Sequence, residues 1–144
     1  MPATQRSNPY YHETGEILVI DDDSSSLFLI QDLLNSLGMG DKVTTATNAA
    51  DALAVIKSRI GTDKFPELLF LDIKMPGIDG FGFLEQLRHM YYPSHAEPKV
   101  VLLSYYGNRM YQERAAEFGV SAYLRKPLTK EKVMDVIDLH TFNN

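Results

Sequence analysis

The sequence predicts a doubly wound α/β domain, a five-stranded parallel sheet with helices on both faces. Three observations carry this. Short apolar runs alternate with segments of helical period along the chain. The central runs are continuously apolar rather than alternating, as strands covered on both faces must be. Gly, Asn, Asp or Pro punctuates the switches between the two patterns. With 144 residues, 44% of them hydrophobic, the chain suits one domain with one core.

The elements follow in order. Met1 to Glu16 is polar, carries Pro2, Pro9 and Gly15, and lacks the apolar stretch of a secretory signal. It reads as a disordered lead-in over residues 1–15, with the domain over 16–144. Ile17 to Ile20 forms the first strand. Asp23 or Ser24 can cap a helix that runs to Leu37 and stops at Gly38. Val43 to Ala46 makes a weaker second strand. Asn48 can cap a helix carrying Ala49, Leu53, Ile56 and Ile60, which ends at Gly61. Leu68 to Leu71 is the third strand. A helix with Phe83, Leu84 and Leu87 follows Asp79-Gly80 and fades near Tyr91-Tyr92. A loop spans Pro93 to Pro98, and Val100 to Leu103 forms the fourth strand. A helix from about Asn108 to Phe118 ends at Gly119. Ala122 to Leu124 is the fifth strand, Lys126-Pro127 breaks the chain, and Thr129 caps a last helix to about His140. Right-handed crossovers and five strands favour the flavodoxin-like order 2-1-3-4-5.

Composition excludes several functions. No apolar run approaches the roughly 18 residues of a membrane span. With no Cys there is neither a disulfide framework nor a Cys-ligated metal site, which fits the cytoplasm. A net charge of −5 argues against direct nucleic-acid binding. His12, His89, His95 and His140 are scattered and lie in no motif.

Ligands of such sheets bind beyond the carboxyl ends of the strands, at the switch point between strands 1 and 3. In this sequence strand 1 runs into Asp21-Asp22 and strand 3 into Asp72. Strand 4 ends at Ser104, and strand 5 leads through Arg125 to Lys126. One sheet edge thus gathers three carboxylates, a hydroxyl and an ammonium. Clustered carboxylates repel, and burial raises the cost of ionising them. A hard divalent cation resolves the conflict, and Mg²⁺ takes carboxylate oxygens while keeping waters that a phosphate can replace. Asp72 can then attack phosphorus and form an acyl phosphate. Lys126 can pair with one phosphoryl oxygen and Ser104 can donate to another.

This constellation resembles the response-regulator receiver domain of two-component signalling. The matching pieces are Ile17-Leu18-Val19-Ile20-Asp21-Asp22 and Leu69-Phe70-Leu71-Asp72-Ile73-Lys74-Met75-Pro76-Gly77-Ile78-Asp79-Gly80. They continue with Val101-Leu102-Leu103-Ser104 and Ala122-Tyr123-Leu124-Arg125-Lys126-Pro127-Leu128. The resemblance covers about residues 16 to 141. It implies that Asp72 is the phosphoacceptor, charged by a histidine kinase or a histidine phosphotransfer protein. Asp21 and Asp22 are implied to bind Mg²⁺ with Asp72, and the backbone carbonyl of Lys74 to be a further ligand. Ser104 corresponds to the switch hydroxyl, Tyr123 to the switch aromatic and Lys126 to the phosphate-sensing lysine. Asp23 reads as a helix cap. Phosphorylation is then expected to draw Ser104 inward and let Tyr123 turn from solvent into the vacated space. That remodels the surface of the fourth helix, fifth strand and fifth helix for a downstream protein.

Three residues depart from the family's pattern. Tyr105 follows Ser104 where a small residue is usual, and is expected to crowd the pocket, compete with Tyr123 for the switch cavity or lie on the surface. Lys74 and Tyr106, two residues after Asp72 and Ser104, flank the family's path for hydrolytic water. Neither is a good base, so a long-lived phosphoryl group is expected. Phe28 lies nearly opposite the apolar face Ile30, Leu33, Leu34 and Leu37 and one turn from the acids. An exposed aromatic there points to docking of the phosphodonor.

Two other classes share part of this constellation. Haloacid-dehalogenase-type enzymes also use a strand-end Asp with Mg²⁺, but need a second Asp where this chain has Lys74. A receiver-like interaction module that works without phosphate would lack an acid or the lysine, and none is missing. The chain is therefore expected to be no enzyme beyond its own phosphoryl transfer and dephosphorylation. Four residues follow His140, so a stand-alone receiver is expected, or a fragment of a longer protein.

Overall fold

A computed structural model describes residues 15–142, with side chains to residue 138. Residues 1–14 of the expected lead-in lie outside the described residues. The elements are β1 (Glu16–Ile20), α1 (Ser24–Ser36), a short 3-10 turn (Gly40–Lys42), β2 (Val43–Ala46), α2 (Ala49–Arg59) and β3 (Pro66–Asp72). They continue with α3 (Gly80–Arg88), β4 (Lys99–Ser104), α4 (Arg109–Phe118), β5 (Ala122–Arg125) and α5 (Lys130–Phe142). The strands form one parallel sheet in the order β2-β1-β3-β4-β5, as the alternation predicts.

Successive strand residues face opposite sides of the sheet. Leu18, Ile20, Leu69, Leu71 and Leu102 point to one face, where Leu53 and Ile56 of α2, Phe81 and Leu84 of α3 and Ala115 of α4 cover them. Ile17, Val19, Phe70, Val101 and Leu103 point to the other, under Ile30 and Leu34 of α1 and Val133 and Ile137 of α5. Because both faces are buried, the strands read as unbroken apolar runs. Burial of each large apolar side chain stabilises the fold by about 1.5–3 kcal/mol.

Helix ends follow local chemistry. Asp23, Asn48, Asp79 and Asn108 each accept a backbone N–H at the start of α1, α2, α3 and α4. These caps satisfy donors that a helix cannot pair internally.

Several boundaries differ from the sequence reading. β3 starts at Pro66, two residues earlier than the apolar run. A proline is tolerated at the first position of a strand, where no ladder donor is needed. β3 also runs through Asp72, which pairs with Leu103, so the carboxylate is the last strand residue rather than the first beyond it. α3 stops at Arg88, short of Tyr91-Tyr92, and Ile60 caps α2 rather than extending it. The turn over Gly40–Lys42 had no signal in the apolar periodicity. No helix among the described residues is long and apolar enough to cross a membrane.

Candidate functional site

The carboxyl ends of β1, β3, β4 and β5 converge on one edge. Backbone bonds carry each ladder one step past its strand. The Asp21 N–H donates to the Ala46 carbonyl at 3.1 Å, that of Ile73 to Leu103 at 3.1 Å, and that of Lys126 to Ser104 at 2.8 Å. Asp21, Asp72 and Lys126 are therefore placed by the sheet, with little freedom to drift. The Lys126-Pro127 peptide bond is cis.

The turn after Asp72 depends on two glycines. Gly77 takes φ +76°, a left-handed conformation that other residues adopt only at a cost. At Gly80 a Cβ would lie 2.7 Å from the Asp72 carbonyl oxygen and 2.9 Å from the Ile73 Cα. The absent side chain lets α3 close onto the loop after Asp72, where the Gly80 N–H donates to the Ile73 carbonyl at 2.8 Å. From the sequence Asp79-Gly80 read only as a helix start, because a close approach between segments leaves no periodic signal.

Asp21, Asp22 and Asp72 each offer a carboxylate oxygen, and these oxygens lie within 4.8 Å of one another. Asp21 and Asp72 are buried while Asp22 is exposed. Lys126 enters from the other side, its Nζ 2.6 Å from Asp21 Oδ2 and 3.2 Å from Asp72 Oδ1. Burial first, then the Asp21 charge, pushes the Asp72 carboxyl up to about 7 against the opposing pull of Lys126. Burial pulls the Lys126 ammonium down, but Asp21 and Asp72 together outweigh it and hold it above its ordinary range. One ammonium thus leaves the cluster short of positive charge. An all-oxygen donor set with uncompensated negative charge fits a hard divalent cation such as Mg²⁺. Asp23 stays outside the cluster, accepting from the Ser25 N–H and Ser26 hydroxyl as the expected cap.

Ser104 is buried at the end of β4, and its Oγ accepts the Tyr106 N–H at 2.9 Å. Tyr123 is half-buried, and its hydroxyl donates to the Tyr106 carbonyl. This hydrogen bond, in an exposed setting, ties the ring to the β4–α4 loop. Lys74 is exposed, with its Nζ 5.6 Å from the Tyr106 ring centroid and 5.9 Å from that of Tyr111. Tyr111, then Tyr106 and Asp79, hold the Lys74 ammonium above its ordinary range, so it stays a cation and no base. Sequence reasoning missed Tyr111, whose place one turn into α4 meets Lys74 only through the fold. Tyr105 is 54% exposed and its ring faces Lys126. Phe28 is 70% exposed, the most outward apolar side chain of α1, and borders a hollow of about 330 Å³ with Gln31, Asp32 and Asn35.

The chain is similar to known proteins in sequence and fold. The profile of the response regulator receiver domain matches residues 17–138. The chain is 30% identical over 126 residues to a probable chemotaxis protein CheY of Rhizobium etli, covering 88% of this chain and 92% of that protein. It is 31% identical over 140 residues to the sensor histidine kinase GacS of Pseudomonas protegens, covering 94% of this chain but 14% of the kinase. Among solved structures, a two-component response regulator from Cytophaga hutchinsonii superposes with a TM-score of 0.77 at 24% identity. That match covers 91% of this chain and 98% of the other.

Proposed function

The chain belongs to the response regulator receiver domain family, and from that premise we propose that it accepts a phosphoryl group on Asp72 and relays it as a change of surface. Receiver domains are signalling modules of two-component systems. The proposed donor is a histidine kinase or a histidine phosphotransfer protein, the output is contact with a downstream protein, and the compartment is the cytoplasm. One observation carries the reading: three carboxylate oxygens within 4.8 Å of one another beside a buried lysine.

Asp21, Asp22 and Asp72 would hold Mg²⁺, with the Lys74 carbonyl as a proposed further ligand. When bound, the ion supplies positive charge that lets the carboxylates and an incoming phosphoryl group share the site. In the transfer an Asp72 carboxylate oxygen forms a bond to phosphorus as the phosphorus–nitrogen bond of the donor's phosphohistidine breaks. The electron pair leaves on the imidazole nitrogen. Lys126, already at 3.2 Å from Asp72, neutralises the added charge. Ser104 can turn its hydroxyl hydrogen to the phosphoryl group while its Oγ still accepts from Tyr106. Drawing Ser104 inward would therefore pull the Tyr106 segment, and with it the acceptor of the Tyr123 hydroxyl. Couplings of this kind are worth about 1–3 kcal/mol, enough for a partial population shift.

The test is Mg²⁺-dependent binding of beryllofluoride, a phosphoryl mimic, to the wild type and to Asp72→Ala. Binding by the wild type alone is expected. No binding by the wild type would favour a receiver that works by contact without phosphate.

Two further results are expected. The Lys74 cation, held by Tyr106 and Tyr111, cannot accept a proton from attacking water, so the acyl phosphate is long-lived. Lys74→Asn should speed hydrolysis by about three- to tenfold, roughly 0.7–1.4 kcal/mol of barrier. A slower variant contradicts the idea. Phe28→Ala should slow transfer from the cognate donor by about tenfold, as loss of a central aromatic anchor does, without changing beryllofluoride binding. An unchanged transfer rate removes Phe28 from the docking surface.

A further inference from the structure

We infer that Tyr105 is a positioning residue of the phosphoryl-transfer site, whose ring roofs the Lys126 ammonium and closes that side of the acidic pocket. A phosphoryl donor then reaches Asp72 only past Asp22 and Lys74. The inference rests on the phosphoacceptor reading above.

Four observations carry it. The Lys126 Nζ lies 5.0 Å from the centroid of the Tyr105 ring, within reach of a cation–π attraction. The Lys126 side chain is 4% exposed, while Tyr105, whose ring it faces, is 54% exposed. Beside the ring, Ser26 and Leu29 of α1, Tyr105, Lys126 and Pro127 line a narrow, partly open cleft of only about 30 Å³. That space takes a water or two and no phosphoryl group. The ring's place is also built in, because the backbone is tied on both sides of it. The Ser104 carbonyl accepts the Lys126 N–H at 2.8 Å, and the Ser104 Oγ accepts the Tyr106 N–H at 2.9 Å.

Two consequences follow for the chemistry. The ring lies over the ammonium where it meets Asp21 and Asp72 and shields it from bulk water. It also blocks one of two approaches, leaving the exposed side at Asp22 and Lys74. A small donor that would otherwise enter from either side is restricted to one.

The experiment compares the full chain with Tyr105→Ala and Tyr105→Phe in two assays. The first measures phosphorylation by acetyl phosphate with Mg²⁺. There an Asp72 oxygen bonds to phosphorus, the bond from phosphorus to the acetyl oxygen breaks, and acetate leaves with the electron pair. The second measures acetylation of Lys126 by acetic anhydride in metal-free protein, read by peptide mass spectrometry. Tyr105→Ala is expected to take up phosphate about threefold faster and to label at Lys126 about threefold faster, the size of a lost exposed cation–π contact. Tyr105→Phe, which keeps the ring, is expected to match the wild type in both. Equal labelling of Lys126 in the alanine variant and the wild type overturns the roof, and so does phosphorylation of the alanine variant that is no faster. If none of the three proteins takes up phosphate, the phosphoacceptor reading falls, and the Lys126 labelling alone then decides the roof.

Discussion

Asp72→Asn should end acyl-phosphate formation and, in metal-free solution at pH 8, make the protein more stable than the wild type by on the order of 2 kcal/mol. The first effect follows from removing the only nucleophilic oxygen set at the end of β3. The second follows from the direction of its titration. In the folded protein, burial and the Asp21 charge raise the carboxyl from 3.8 to about 7. Between those values the folded state keeps a proton that the unfolded chain has released, so stability falls as pH rises across that window. Above pH 7 the loss is complete. Asparagine has no proton to lose and escapes it. A full conversion of the shift would give about 4 kcal/mol, but solvent at Asp22 screens the cluster and Lys126 gives up a partner in the variant. Urea unfolding of both proteins from pH 4 to pH 8 checks this. The two curves should nearly meet at pH 4 and separate above it, and added Mg²⁺ should narrow the gap by stabilising the wild type more. A variant less stable than the wild type at pH 8 without metal would contradict the account.

Lys126→Met should destabilise the metal-free protein at neutral pH by about 2–3 kcal/mol. Methionine keeps the apolar stem and removes the ammonium that stands 2.6 Å from Asp21 and 3.2 Å from Asp72. Stripping one partner from a buried ion pair commonly costs about 3–5 kcal/mol. The lower figure applies here because Asp72 can take up a proton in response. The lysine's own titration sets the window. Its folded value lies above 10.5, so its contribution is fully present at lower pH and is lost as pH rises through the folded value. The difference between wild type and variant should therefore persist through neutrality and shrink only in strong alkali. Adding Asp72→Asn to Lys126→Met should recover more at pH 8 than the roughly 2 kcal/mol that Asp72→Asn gives alone, because contacting sites are not additive. Beryllofluoride binding should weaken by about tenfold, the loss of one charge-assisted bond. Additive unfolding energies in the double variant would separate the two residues.

Much of this was legible in the chain. Strand order, the two covered faces and the caps at Asp23 and Asn48 follow from short-range pattern: apolar runs, 3.6-residue period, and Asp or Asn before these helices. Asp21, Asp22, Asp72, Ser104 and Lys126 were visible because each stands next to a strand that the pattern defines. Contacts between segments distant in sequence were not legible. Nothing in the spacing says that Lys74 meets Tyr111, that Tyr105 lies over Lys126, or that Gly80 must lack a Cβ to admit the Asp72 backbone. The hydrogen bond from Tyr123 to Tyr106 likewise joins residues 17 apart.

The sequence by itself determined which groups reach the site, because a parallel sheet delivers the residue after each strand to one edge. Only the tertiary structure decided what those groups feel. Charge, burial and ring contacts act over a few ångström, and the distances are set by helices and loops closing on the sheet rather than by spacing along the chain. Asp72 is the proposed acceptor by its position in sequence, and its carboxyl is raised to about 7 by the company that the fold gives it.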